Sequence, residues 1–183
     1  MIFGDVLGKD SSGVTCYCNG VPEYVGQEEH FLDDLSMGLK WQCVEYTRRW
    51  TYLNKKILLP DIEKASDLWS LGKTEDGLKW WSVVANGQGP APLPGDVLVW
   101  DCAFRGTGHV AIALGRIQGA GPLPIGNAYE GLAIAEQNYS SNPWPGEYSR
   151  SLPFQQTSSG VYIESESLLG WLQWRKPGRE VTK

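Results

Sequence analysis

A thiol that attacks an amide needs three things: a thiolate, an imidazole to hold and return the proton, and a group that orients the imidazole. Four cysteines (Cys16, Cys18, Cys43 and Cys102) and two histidines (His30 and His109) allow eight Cys–His pairings. Context separates them. His30 sits in the polar run Gln27-Glu28-Glu29-His30, which predicts a solvated loop without a pocket. His109 follows Gly106-Thr107-Gly108 and opens the apolar run Val110-Ala111-Ile112-Ala113-Leu114. A glycine just before it lets another chain or a substrate come close. His109 is therefore favoured as the base.

Cys43 falls in the first turn of a predicted helix, where unpaired backbone N–H groups and the positive end of the helix dipole stabilise an anion. Such a setting lowers a thiol pKa from ~8.5 towards ~3.5–7.5. No Ser, Thr, Asp or Asn stands just before it as a cap, which leaves the helix end open to another anion. Cys102 follows the end of a strand within reach of His109 and is the main rival, without a helix terminus. From spacing alone, Cys43 reads equally well as a core thiol of an amphipathic helix. Cys16 and Cys18 alternate on one face of a short strand, Gly13 to Gly20, closed by an Asn-Gly turn, and read as small packed apolar residues. Cys-x-Cys lacks the two-residue spacer of zinc knuckles, and with two histidines in the chain no metal site is expected. A disulfide framework is not expected either.

These candidates need elements to position them. Between Lys40 and Asn54 there is no Pro or Gly, and Trp41, Val44, Trp50, Leu53 and Ile57 recur at spacings near three and four, which predicts a helix. A second helix is expected from Asp61 to Leu71, opened by Pro60-Asp61 and closed near Gly72. After the Pro94-Gly95-Asp96 turn, strands are expected at Val97–Trp100, His109–Leu114, Ala133–Asn138 and Gly160–Ile163, with Trp171–Trp174 closing the sheet. Helices first and strands second imply an α+β fold, N-terminal helices packed on an antiparallel β-sheet. Tyr139 to Gly160 reads as a long loop, a kind of segment that often carries function.

At 183 residues, with 42% hydrophobic and 20% charged residues, the chain is expected to form one domain over 1–183. A net charge of −5 and the lack of any Lys/Arg run beyond doublets disfavour nucleic acid as a partner. No stretch approaches the ~18 apolar residues of a membrane span, so no membrane partner is expected. The start, Met1-Ile2-Phe3-Gly4-Asp5, has neither a basic region nor an apolar core of the signal-peptide kind, so a cytoplasmic location is expected.

Three blocks carry a resemblance. Lys40-Trp41-Gln42-Cys43-Val44-Glu45-Tyr46-Thr47-Arg48-Arg49, Thr107-Gly108-His109-Val110-Ala111-Ile112 and Ala135-Glu136-Gln137-Asn138 resemble, in order, the signature blocks of the CHAP superfamily. Within it they are most similar to glutathionylspermidine-amidase domains and to D-alanyl-glycyl endopeptidase-like members. Phe3-Gly4 and Leu169-Gly170-Trp171 extend the likeness over almost the whole chain.

The resemblance implies a papain-like (NlpC/P60-type) fold with Cys43 as nucleophile, His109 as general base and Glu136 orienting the histidine. It also puts Gln42, Arg48 and Asn138 on positions that contact substrate. Where the amidases have a small apolar lining after the catalytic helix, this chain has Ile62-Glu63-Lys64-Ala65, with two charges. The implied activity is cleavage of an amide through an acyl-thioester, without a cofactor. The implied partner is a small-molecule or peptide amide: first a glutathione–polyamine conjugate, then a wall peptide containing D-alanyl-glycine. Arg48 would face the carboxylate of the acyl part, and Glu63 or Glu147 the polyamine. Rival expectations are a non-catalytic peptide or polyamine binder, and an interaction protein exposing some of its nine tryptophans. One hyper-reactive thiol near neutral pH would distinguish the enzyme from both.

Overall fold

The computed structural model describes residues 1–20, 26–119 and 129–175, so the expected single domain over 1–183 extends beyond the described residues. Four short strands come before any helix: β1 (Val6–Lys9), β2 (Thr15–Tyr17), β3 (Glu29–Leu32) and β4 (Leu35–Leu39). They pair as two antiparallel ribbons, β1 with β2 and β3 with β4. Three helices follow, α1 (Cys43–Lys55), α2 (Asp67–Gly72) and α3 (Glu75–Trp80). The remaining strands are β5 (Trp81–Ala85), β6 (Val97–Trp100), β7 (His109–Gly119), β8 (Tyr129–Ala135), β9 (Arg150–Gln156), β10 (Val161–Ile163) and β11 (Leu168–Trp174). They form a seven-stranded sheet in the order β10-β9-β8-β7-β6-β11-β5, each described pair antiparallel.

The sheet curls until its edges meet. Gly87 N–H donates to the Val161 carbonyl at 2.9 Å and Val161 N–H to the Gly89 carbonyl at 3.1 Å, joining the segment after β5 to β10. Alternation along the strands divides the core. Val97, Val99, Val110, Ile112 and Leu172 pack with α1 residues Tyr46 and Trp50. Leu98, Trp100, Ala111, Ala113, Ile134 and Trp171 fill the concave side together with Leu152, Val161 and Ile163.

Several expectations change. The helices do not lead the chain: the ribbons come first, and their three- to five-residue strands are too short to show a clear period. The expected helix from Asp61 to Leu71 begins only at Asp67. The Thr15–Tyr17 strand ends before Cys18, so Cys16 lies within it and Cys18 just beyond it. The Tyr139–Gly160 stretch contains β9. Residues Trp171–Trp174 belong to β11, which lies inside the sheet between β6 and β5. Among the described residues no helix is long and apolar enough to cross a membrane.

The β1–β2 ribbon is fixed to α1 through Asp10, which is buried. Its carboxylate accepts Trp50 Nε1–H at 2.6 Å, the Tyr46 hydroxyl at 3.2 Å and Val14 N–H at 3.0 Å. A buried carboxylate is tolerated because it is fully hydrogen-bonded. The result is a rigid seat for the start of α1.

Candidate active site

Gln42 is the N-cap of α1, with extended backbone and no side-chain cap bond, so Cys43 is the first helical residue. At that position the backbone N–H has no intrahelical partner, and the helix dipole favours negative charge. The pairing Trp100↔His109 places His109 at the first rung of β7, and the register Ile112↔Ala135 brings Glu136, just past β8, onto its diagonal. Gly108 makes the approach feasible. At φ +77 a Cβ there would stand 2.5 Å from the Trp100 carbonyl oxygen and 2.9 Å from Ser66.

The structure brings Cys43, His109 and Glu136 together. The His109 ring is hydrogen-bonded to the Cys43 sulfur, and its Nε2 lies 2.9 Å from Glu136 Oε2. His109 and Glu136 are 3% and 2% exposed, so Glu136 is no surface charge. Burial opposes the Cys43 thiolate, but the His109 charge, its hydrogen bond and the Val110 and Val44 N–H groups outweigh it and hold the thiol below its ordinary value. Burial likewise opposes the imidazolium, yet the Cys43 charge and hydrogen bonds to Cys43 and Glu136 raise His109 to about 9. Glu136 is held ionised against its burial by His109 and Arg150. Both shifts favour a thiolate–imidazolium pair.

A cleft of about 520 Å³ reaches Cys43. Glu29, Gly38 and Leu39 line it from the β3–β4 side, Asp61, Ile62, Glu63, Ala65 and Thr107 from another, with Gln42, Cys43, Val44 and Glu45 of the α1 start between. Gln42 Oε1 accepts Asn138 Nδ2–H at 2.8 Å, and Gln42 Nε2–H donates to Asn19 Oδ1 at 3.2 Å, so the amide beside the nucleophile is fixed at both ends.

Two expected substrate residues lie elsewhere. Lys64 is exposed and outside the cleft lining, its N–H turned to Asp67 Oδ2 at 3.3 Å. Arg48 is only 5% exposed: Nη2 donates to the Ser36 carbonyl at 2.9 Å and Nη1 lies 3.1 Å from Asp61 Oδ1. It is tied to Asp61 at the cleft rim and is not among the residues that line the cleft. His30 is half-buried in β3 and bonded to Glu45 Oε1 at 2.8 Å, unlike a solvated loop histidine. Cys102 is exposed in the turn after β6, its thiol donating to Asp101 Oδ1 at 3.4 Å.

Sequence reasoning missed Asn19, Tyr139 and Arg150. Arg150 Nε–H donates to Glu136 Oε1 at 2.6 Å and Nη2–H to Oε2 at 3.2 Å, while its guanidinium stacks on Tyr139 at 3.7 Å. All three lie on loop or strand-end positions without periodic signal, although the long segment after Tyr139 already pointed there. Among the described residues no group of three or more His, Cys, Asp and Glu is arranged to hold a metal ion.

Comparison with known proteins points to one family. Residues 34–122 match the CHAP domain family. The chain is 30% identical over 190 residues to the bifunctional glutathionylspermidine synthetase/amidase of Escherichia coli (strain K12), covering 93% of this chain and 29% of that protein. It is 30% identical over 191 residues to the trypanothione synthetase of Crithidia fasciculata, covering 97% of this chain and 27% of that protein. The chain thus spans less than a third of the length of these curated relatives. With a CHAP domain that contains the buried Cys43 and His109, the chain belongs to the CHAP superfamily of amidases and peptidases.

Proposed function

We propose that the chain hydrolyses an amide bond through a covalent thioester on Cys43, in a papain-like arrangement of helix-borne thiolate and strand-borne histidine. The observation that carries this is the buried Cys43–His109 pair, whose cysteine lines the cleft, with Glu136 behind the ring. The Cys43 sulfur attacks the carbonyl carbon, and the oxyanion forms beside the Cys43 backbone N–H and the fixed Gln42 amide. His109 gives its proton to the leaving nitrogen as the C–N bond breaks. Water then attacks the thioester, His109 takes its proton, and the C–S bond breaks to restore the thiolate.

The substrate reading is a glutathione–polyamine conjugate, supported by cleft chemistry and by the relatives' named activities. Glu29, Asp61 and Glu63 line the cleft, and among its described lining residues there is no Lys or Arg. Such a wall suits a polycationic leaving group. Arg48 is paired with Asp61 at 3.1 Å, so a substrate carboxylate would have to displace Asp61 to reach the guanidinium.

Glutathionylspermidine and cell-wall fragments containing D-alanyl-glycine are to be offered in parallel, with mass spectrometry for release of the amine and for an acyl adduct on Cys43. Release of spermidine with a Cys43 adduct is the expected result. Cleavage of the wall fragments alone would replace the substrate and keep the chemistry. Turnover without any Cys43 adduct, undiminished in Cys43→Ala, would end the thioester reading.

A further inference from the structure

Beyond the three residues of the proposed mechanism, and resting on that reading, Glu136 has a second cationic neighbour that nothing in the mechanism requires. It is clamped on both oxygens by Arg150, at 2.6 and 3.2 Å, and its Oε1 also accepts the Ser149 hydroxyl at 3.2 Å. The other titratable groups bonded to it among the described residues are His109 on β7, with Cys43 beyond the ring, and the thiol of Cys16 on β2, which donates to the Glu136 carbonyl at 3.3 Å. Burial keeps Cys16 a neutral thiol, so Arg150 and the His109 imidazolium are the cations that face Glu136.

Arg150 is itself held. Its guanidinium lies 3.7 Å from the Tyr139 ring centroid and 5.9 Å from that of Trp100, and the Trp100 and Tyr139 rings also pack on the His109 ring, at 5.4 and 5.9 Å. The same aromatic walls thus fix both cations of the Glu136 carboxylate. A fork donor stacked on a ring is pre-organised, which fixes the carboxylate plane and through it the imidazole.

We propose that Arg150 is a positioning residue of the active site, a fourth member of the line Cys43–His109–Glu136–Arg150, which sets both the orientation of Glu136 and the pH range of the thiolate–imidazolium pair. The physical reason is that Glu136 must stay ionised while buried, and the His109 imidazolium on Oε2 leaves Oε1 with only the neutral Ser149 hydroxyl. Removing a positive charge raises the pKa of each group near it. Loss of Arg150 therefore moves thiolate formation and imidazolium deprotonation both to higher pH. Arg150 is 25% exposed and acts on the pair through Glu136, so the shift is at most about one pH unit.

The surroundings supply an unusual test. A cavity of about 320 Å³, lined by Glu136, Tyr139, Ser140, Trp144 and Arg150 among others, adjoins the guanidinium. In Arg150→Ala a free guanidinium ion has both a route and a vacated place between Glu136 and Tyr139. The readout needs no substrate: alkylation of Cys43 by iodoacetamide from pH 4 to 10, followed on the Cys43 peptide by mass spectrometry, with thermal unfolding as the check on folding.

Arg150→Ala and Arg150→Met should show the reactive window displaced upward by up to about one unit, a loss of up to roughly tenfold on the acid limb. Guanidinium at tens of millimolar should restore much of the Arg150→Ala rate, and urea, of the same shape without charge, should not. Arg150→Lys, which keeps the charge without the fork, should keep the pH window while losing part of the rate. The proposal is overturned if folded Arg150→Ala gives the unaltered profile. It is also overturned if its loss is not displaced in pH, is shared in full by Arg150→Lys and is untouched by guanidinium. Cys43 of the unaltered protein reacting no faster than Cys102 near neutral pH would instead overturn the functional reading, and the inference with it.

Discussion

The molecule contains the same three-residue arrangement twice. In one, His30 Nδ1 lies 2.8 Å from Glu45 Oε1, and Arg49 holds the carboxylate with Nε at 2.6 Å and Nη2 at 3.3 Å. In the other, His109 Nε2 lies 2.9 Å from Glu136 Oε2, and Arg150 reaches the carboxylate with Nε at 2.6 Å and Nη2 at 3.2 Å. Histidine, glutamate and arginine are thus alike in kind and distance. The difference lies on the far side of the imidazole. His109 meets a thiol at a helix N-terminus, whereas the His30 ring packs 5.1 Å from Trp41. A hydrogen-bonded His–Glu pair is a structural tie until a nucleophile stands on its open edge.

The largest effect that follows from this contrast is at the nucleophile. Cys43→Ala should lower turnover by about 10⁴-fold or more, while Cys16→Ala, Cys18→Ala and Cys102→Ala leave most of it, measured as amide cleavage. Retention of substantial activity in Cys43→Ala would remove the distinction between the two clusters. Next come the two glutamates, which should separate by kind of damage. Glu136→Gln should cost about 10²–10⁴ in kcat. Glu45→Gln should mainly destabilise, since it leaves the buried Arg49 without its counter-charge. A cost of about 3 kcal/mol would lower Tm by roughly 6–12 °C. Equal losses of activity in both variants would break the comparison.

The pH dependence sharpens it. His109 is raised to about 9, so the ion pair persists up to that pH and activity should fall as the ring loses its proton. Below that, activity should fall again as Cys43 takes up a proton, giving a bell that belongs to the coupled pair. The same displacement enters stability. A histidine raised from 6.5 to about 9 contributes fully below 6.5, and its contribution is lost as pH rises through about 9. In Glu136→Gln the alkaline limb should move to lower pH, because the bond and charge that raise the ring are weakened. A limb that stays in place would remove Glu136 from its role.

The legible part of the fold was what has a long period. The α1 helix and strands β6, β7 and β11 were visible because their apolar residues repeat over four or more positions. Of the ribbon strands only β2, around Cys16, was expected, since strands of three to five residues with glycines between them carry little pattern. At the site, Cys43 was favoured by its place at a helix start and His109 by the glycine before its strand. Glu136 was reached only through the family blocks, because nothing in Ala-Ile-Ala-Glu-Gln-Asn marks a carboxylate as buried. Arg48 shows the opposite limit. Its place in the helix was foreseen, but the turn that carries Asp61 across its guanidinium was taken as helix, so its burial was not. Arg150 lies fourteen positions from Glu136 across a loop, and only the β8–β9 pairing brings them together.

The smallest expected effect is at His30, and it tests most directly whether the second cluster is structural. His30 is 22% exposed and shares Glu45 with Arg49 and with Gln137, whose Nε2–H donates to Glu45 Oε2 at 2.7 Å and to the Gln42 carbonyl at 3.1 Å. Removing its ring leaves that carboxylate still bonded to Arg49 and Gln137, so no charge is orphaned. His30→Ala should therefore cost only about 0.5–1.5 kcal/mol, the net worth of one hydrogen bond in a partly solvated site. Thermal unfolding measures this. Because the Gln137 link to Gln42 remains, kcat should stay within about twofold and the alkaline limb near pH 9 should not move. A tenfold fall in kcat, or a displaced limb in a variant that melts normally, would mean that the Glu45 cluster reaches the nucleophile through Gln137 and Gln42. The two histidine clusters would then act as one site.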